Sequence, residues 1–149
     1  MHRIHTPSQN VKVVPSLTPA SRTASADGAY VDTRGFSSAL VIFDIGAHDR
    51  TTADETFLCK VEEDADGSGA GTAITGLTTG ALGAVVPDAT VGNRYIFDVD
   101  LTKGGRLRYL RGVLTLAGTT PIVLSACTIL LFGGDKAVTQ PTGVTAYQD

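Results

Sequence analysis

Alternation of apolar side chains with a period of two is the feature that most constrains this chain. The run from Phe36 to Ile45 is apolar at alternate positions on one face and partly apolar on the other. A second run, Thr56 to Val61, alternates in the same way after a short polar linker. A period of two is typical of strands and not of helices. The sequence therefore predicts that these two runs form a β-hairpin, followed by an acidic, glycine-rich turn.

Further period-two runs follow along the chain, and glycine-containing turns separate them. The runs are Tyr95–Leu101, Leu107–Leu116 and Ile122–Phe132, with turn signals at Gly92-Asn93, Gly104-Gly105 and Gly133-Gly134. Evidence for helices is thin throughout. Several short strands with regular turn signals predict an all-β protein, either a sandwich or a barrel.

The bulk composition limits the classes of function. The 149 residues suit a single domain. Only 18% of them are charged and 42% are hydrophobic, so we expect a partner to cover part of the surface. The net charge of −3 argues against a nucleic-acid binder. The most apolar run, Pro121 to Phe132, is too short to cross a membrane as a helix, and residues 1–10 contain no apolar segment that would predict a signal peptide.

The two ends of the chain differ in composition from its middle. Residues 1–30 are rich in Ser, Thr, Ala and Pro and predict an N-terminal arm; residues 135–149 predict a polar C-terminal tail, which leaves residues 31–134 as the β-domain. Within the arm, residues 11–17 predict an extended edge strand, because Pro15 disfavours a central one. An arm of this kind can add a strand to a neighbour's sheet. Its apolar side chains are therefore candidate interface residues: Val11, Val13, Val14 and Leu17.

Residue patterns typical of catalysis do not occur in the sequence. It has no nucleophile elbow, no Walker loop and no zinc-protease or dinucleotide motif, so we expect neither enzymatic activity nor a cofactor. Asp64 and Asp66, beside Gly67, are weak metal candidates, since their spacing does not match an EF-hand loop and a solvated turn explains them better. Cys59 and Cys127 lie in apolar runs and are interpreted as buried, reduced thiols.

A basic cluster precedes and enters the run from Leu107 to Leu116. It consists of Arg106, Arg108 and Arg111 with Lys103 nearby. The acidic chain as a whole disfavours contact with nucleic acid. The cluster therefore predicts either a solvated strand face or salt bridges across a subunit interface, and the three arginines are candidate interface residues.

Four segments between residues 30 and 134 together resemble a known group of proteins. They read VDTRGFSSALVIFDIG, ETFLCKVEEDADGS, RYLRGVLTLAG and LLFGG. This pattern is similar to that of small structural proteins of tailed-phage particles and phage-derived gene transfer agents, of the head spike base or capsid decoration type. The shared motifs are turns and strands, so the resemblance brings no catalytic residue with it.

The resemblance implies a jelly-roll-like antiparallel β-sandwich that forms a ring on the capsid, commonly at fivefold vertices. The implied partners are the major capsid protein, a head spike or fibre protein and further copies of the chain, with a pentamer as one form. The protein would be assembled in the bacterial host cytoplasm and reside in the virion. A capsid decoration or cement protein, a tail-associated protein and a carbohydrate-binding module for host recognition are the alternatives. The absence of Trp disfavours the last of these.

Overall fold

The computed structural model describes residues 10–48, 54–82, 92–134 and 138–142. Within these ranges the chain forms nine β-strands. Their bounds are β1 Lys12–Arg22, β2 Ala26–Asp27, β3 Val31–Asp32, β4 Ser38–His48, β5 Thr56–Asp64, β6 Thr72–Thr78, β7 Asn93–Asp100, β8 Tyr109–Ala117 and β9 Val123–Phe132. No helix in the described part of the chain is long and apolar enough to span a membrane.

The strands form two antiparallel sheets that pack face to face. The four-stranded sheet has the order β1-β9-β4-β7, and the five-stranded sheet has the order β2-β8-β5-β6 with β3 also paired to β8. Because β2 and β3 each contribute two residues to the same side of β8, together they occupy one edge position. The chain passes from one sheet to the other at most connections, as in the double Greek key of a jelly roll. The predicted all-β sandwich is confirmed, and its strand order is that of a jelly roll.

The core lies between the two sheets and consists of alternate residues of the long strands. In β4 and β9 every second side chain is buried, which is the period of two seen in the sequence. Phe43 of β4 contacts Phe97 of β7 edge-on, with ring centroids 6.0 Å apart. The largest fully buried residues come from both sheets: Val41, Phe43, Ile45, Cys127, Ile129 and Leu131 from one, and Cys59, Val61, Leu110 and Leu114 from the other. Burying each large aliphatic or aromatic side chain stabilises the fold by roughly 1.5–3 kcal/mol.

The predicted hairpin between β4 and β5 is wrong. β4 pairs with β7 and β9, whereas β5 pairs with β6 and β8, so the two strands lie in opposite sheets. Each strand has one strongly apolar face, and both faces are buried only when the strands lie across the core from each other. The hairpin is instead β5–β6, which turns through the acidic segment at Gly67, where φ is 74°.

The described part of the predicted N-terminal arm belongs to the sandwich. β1 pairs with β9 along its length, from Lys12 opposite Leu131 to Arg22 opposite Val123. Pro15 is tolerated because β1 is an edge strand, as expected, and the pairing shifts register on either side of Leu17. A run this apolar on its inward side is more stable when packed on the core than when extended in solvent. Residues 1–9 of the predicted arm, and 135–137 and 143–149 of the predicted tail, lie outside the described ranges.

Ser16 ties the two sheets together at the side where β1 lies. Its hydroxyl donates to the carbonyl of Ala29 at 3.0 Å and accepts the N–H of Gly112 at 3.0 Å. The N–H of Ala29 donates in turn to the carbonyl of Ser16 at 2.7 Å. Ser16 is buried, so these bonds replace water at polar groups that would otherwise be costly to enclose. The junction fixes β1 and the chain before β3 relative to β8.

Candidate interaction surface

The surface that differs most from an ordinary soluble sandwich is the outward side of the four-stranded sheet, here called the outer face. Cross-strand pairing places its residues in rows, with Val13 beside Leu130 and Leu40, and Thr128 beside Ile42 and Ile96. None of these side chains belongs to the core cluster between the sheets. The apolar members of the outer face are Val13, Pro15, Leu40, Ile42, Ile96, Leu124, Ala126, Leu130 and Phe132.

Apolar side chains on the outer face are more exposed than those of any core position. Ile96 is 53% exposed and Leu124 is 46% exposed, and Ile122, just before β9, is 42% exposed. An antiparallel sheet with one face on a core normally presents polar side chains on its other face. A contiguous apolar sheet face in contact with water is typical of a surface that a partner covers.

The charges on the outer face lie towards its β7 side. Nε of Arg94 donates to Oδ1 of Asp44 at 2.5 Å, across the β4–β7 pairing. Asp98 and Asp100 are exposed at the opposite end of β7, where Asp100 accepts hydrogen bonds from the backbone and hydroxyl of Thr102. They border a shallow groove of about 480 Å³ that Leu40 and Phe132 also line. The outer face therefore combines an apolar centre with a rim of mixed charge.

The outward side of the five-stranded sheet carries charged residues at its centre, and these form ion pairs with one another. Glu62 accepts from Nζ of Lys60 at 2.7 Å and from Nη2 of Arg111 at 2.7 Å. The ring of Tyr30 lies over the Arg111 guanidinium, 4.6 Å from its carbon, and the Tyr30 hydroxyl donates to the carbonyl of Gly69. Burial alone would raise the pKa of Glu62, but hydrogen bonds from Lys60 and Arg111 outweigh it and hold the pKa of this carboxyl below its usual value.

Each of the three arginines of the basic cluster lies within salt-bridge distance of a carboxylate of the same chain. Arg111 is buried against Glu62, and Arg108 makes a two-pronged contact with Asp32 at 2.6 and 2.9 Å. The hydrogen bonds from Arg108 lower the pKa of Asp32 to about 2. Nη1 of Arg106 lies 3.3 Å from Glu63, outside hydrogen-bond geometry. These side chains stabilise the sandwich, with Arg108 alone of the three remaining substantially exposed.

The candidate interface residues of β1 divide between the two sides of the sheet. Val13 lies on the outer face, opposite Leu130. Val14 packs against the core, and Leu17 is a buried core residue, so neither is presented to a partner. Val11 precedes β1, and its carbonyl accepts a hydrogen bond from Nε2 of Gln140 at 2.6 Å. Val13 therefore contributes its side chain to the outer face, whereas Val14 and Leu17 do not.

The acidic turn uses its carboxylates to hold its own backbone. Oδ2 of Asp64 accepts the N–H groups of Gly67 and Ser68 at 2.8 and 3.1 Å, and Oδ1 of Asp66 accepts the N–H and hydroxyl of Ser68. Desolvation alone would raise the pKa of Asp64, but a hydrogen bond with the Asp66 side chain and backbone N–H groups, that of Gly67 among them, outweigh it and lower the pKa. No group of three or more metal-binding side chains occurs among the residues that the structure describes. The geometry is that of the structural turn preferred from the sequence.

The two cysteines are buried and free, as expected. Burial raises the pKa of Cys59 to about 12 and raises the pKa of Cys127 as well. A thiol held in its neutral form is a poor nucleophile. Neither cysteine therefore supports covalent catalysis.

The apolar outer face was not predicted from the sequence, although the pattern of apolar residues in two strands indicated it. Phe36–Ile45 is partly apolar on its second face, and Ile122–Phe132 is apolar on both. In an antiparallel sheet, a strand that is apolar on both faces indicates that both faces are covered. Which strands lie side by side to form one surface follows from the topology and not from the sequence pattern.

No protein-family model matches this chain, and no curated protein matches it either.

Proposed function

We propose that this protein is a non-enzymatic structural component of a phage-like particle, attached to the capsid through the outer face of its four-stranded sheet. In this proposal it forms the base of a head spike, as a ring of copies at a vertex, between the major capsid protein and a spike or fibre protein. The single observation that carries the proposal is the apolar outer face, with Ile96 and Leu124 about half exposed. The resemblance of residues 30–134 to small virion proteins supplies the kind of particle.

The size of the outer face suits attachment to a large, repetitive partner. Four strands about 4.8 Å apart and about 30 Å long present roughly 600 Å². A standard protein–protein interface buries about 800 Å² on each partner. One copy alone would therefore bind modestly, and several copies held together would bind tightly by multivalency. This favours a component that acts as an oligomer on a capsid lattice.

A capsid decoration or cement protein is the alternative within the same class, because the same face would serve it equally well. The carbohydrate-binding alternative has less support. Tyr30 and Tyr147 are the aromatic residues that could serve that alternative as a sugar platform, and Tyr30 is stacked on Arg111 and hydrogen-bonded to Gly69. The other, Tyr147, lies outside the described residues.

Quantitative mass spectrometry of purified particles tests the proposal, scoring copies of this protein per major capsid subunit. A ratio equal to one small ring per vertex supports the spike base. A ratio near one per capsid subunit supports the decoration protein, and a single ring per particle indicates the portal or tail. Absence from the particles contradicts the virion proposal altogether.

A matched pair of variants tests the attachment surface itself. Ile42→Glu changes the outer face in the middle of β4, whereas Leu58→Glu changes the outward side of the other sheet in the middle of β5. Both positions are half-buried and central. We expect Ile42→Glu to abolish incorporation into particles and Leu58→Glu to leave it unchanged, with thermal melting confirming that both variants fold. Equal incorporation of the two variants would place the attachment elsewhere.

A further inference from the structure

The four edge positions of the sandwich differ in how well they resist the addition of another strand. Natural sheets protect their edges with proline, bulges, short strands or covering segments. β1 contains Pro15, shifts register twice and is covered at Val13 by Gln140, whose Oε1 accepts the Val13 N–H. β2 and β3 are two residues long. β6 shifts register against β5 and contains Gly76 at a φ of 85°.

Among the residues that the structure describes, β7 has no proline, no bulge and no covering segment. It is eight residues long and pairs with β4 without a register shift, from Asn93 opposite Ile45 to Asp100 opposite Ser38. Within the described ranges, no strand pairs with its other side. It also carries Ile96, which is 53% exposed. A regular, unprotected edge with an exposed aliphatic side chain is a template for pairing with another chain.

The outward residues of β7 read, in order, as a cation, an aliphatic side chain and an anion: Arg94, Ile96 and Asp98. When such a strand pairs with a copy of itself in the antiparallel sense, with Ile96 opposite Ile96, Arg94 of each copy lies opposite Asp98 of the other. We propose that β7 pairs in this register with β7 of a second copy of this chain. Two ion pairs then flank one apolar contact, and Tyr95 lies opposite Phe97 of the second copy.

The charges that this pairing needs are available. The contact of Arg94 with Asp44 uses Nε, which leaves the remaining N–H groups of the guanidinium for a second carboxylate. Asp98 forms no salt bridge with the described residues. In the neighbouring register, Arg94 would lie opposite Asp100, and Ile96 would then lie opposite Asp98. That arrangement places a carboxylate against an aliphatic side chain, so the pattern specifies one register.

The pairing has a consequence for the outer face. A two-fold axis through the Ile96 pair runs perpendicular to the sheet, so the outer faces of both copies point the same way. The four-stranded sheets become continuous, and the total area of the outer face doubles to roughly 1,200 Å². An isologous contact of this kind joins two copies and cannot by itself close a ring of five. It is therefore additional to any ring contact and does not depend on the proposed function.

Analytical ultracentrifugation of the full chain over a concentration series tests the pairing. We expect a monomer–dimer equilibrium for the wild type. Ile96→Lys places two cations at the two-fold axis and should weaken the dimer about tenfold or more. Ile122→Lys is the matched control, because it removes a similarly exposed isoleucine outside β7 and should leave the dimer unchanged. A monomeric wild type, or a larger assembly that Ile96→Lys does not alter, overturns the proposal.

A charge-swap pair tests the register. Arg94→Asp alone and Asp98→Arg alone each place like charges opposite one another and should be monomeric. Mixed together, the two variants restore opposite charges at both positions and should form a heterodimer. Circular dichroism melts establish that each variant is folded. If both single variants dimerise like the wild type, or if folded variants fail to associate when mixed, the proposed register is wrong.

Discussion

At the scale of single residues, the absence of a side chain at Gly112 is what permits the sheets to approach. A Cβ at this position would overlap Sγ of Cys127 and lie 2.8 Å from Cζ of Phe43, both fully buried on the opposite sheet. Strand propensity alone would favour alanine over glycine by roughly 0.5–1 kcal/mol. The two neighbours sit on central strands and have no free space to move into, so the overlap should outweigh propensity.

We therefore expect Gly112→Ala to lower the free energy of unfolding by roughly 1–3 kcal/mol, as overpacked core substitutions do. Urea denaturation measures the change. Gly104→Ala is the matched control, since a Cβ there meets nothing within 4 Å, and it should be neutral. A Gly112→Ala protein as stable as the wild type would show that the neighbouring core side chains rearrange to accommodate the added methyl group.

Residue-scale features divide clearly into those the sequence predicts and those it does not. The burial of Cys59 and Cys127 follows from the apolar runs around them. The buried pair of Glu62 and Arg111 does not, because 49 residues separate them and only the β5–β8 register brings them together. In the same way, the sequence places Gly112 inside the apolar run Leu107–Leu116, but it does not show that the missing side chain makes room for Cys127 and Phe43.

At the scale of elements, a side chain forms hydrogen bonds with backbone groups at the free edge of β1. The amide of Gln140 accepts the Val13 N–H at 2.9 Å and donates to the Val11 carbonyl at 2.6 Å, as the peptide group of a neighbouring strand would. We expect Gln140→Ala to speed hydrogen exchange of the Val13 amide and to lower stability by about 0.5–1.5 kcal/mol, the usual value of a hydrogen bond. Amide exchange followed by NMR measures this. Thr139→Ala, at the exposed neighbouring position, serves as the control.

An unchanged Val13 exchange rate in Gln140→Ala would mean that another group protects this edge. The predicted division between the arm and the β-domain has a related cause. Pro15 and a polar composition marked residues 1–30 as peripheral, and β1 is indeed at an edge. Composition could not show that Val14 and Leu17 face inward, because the bulges around Leu17 break the alternation from which a strand is recognised. The long strands without bulges, β4 and β9, were recognised from their period of two.

At the scale of the whole molecule, the two sheets present opposite chemistry to their surroundings. The outward side of the five-stranded sheet is charged and satisfied by its own ion pairs, whereas the outer face of the other is apolar. The all-β class follows from strand periodicity, but this asymmetry does not, since it depends on which strands become neighbours. β4 and β9 place their second apolar faces side by side only because the topology makes them adjacent.

The same asymmetry predicts how the two proposed contacts respond to salt. Attachment through the apolar outer face should persist in sodium chloride and strengthen in sulfate, which favours apolar burial. Pairing through β7 relies partly on exposed ion pairs of Arg94 and Asp98, which are screened at about 1 M salt, where the Debye length is about 3 Å. Sodium chloride should therefore weaken the dimer several-fold while leaving co-sedimentation with particles intact. If dimerisation and co-sedimentation with particles both weaken as salt is added, charged groups bind the protein to the particle. The outer face is then not the attachment surface.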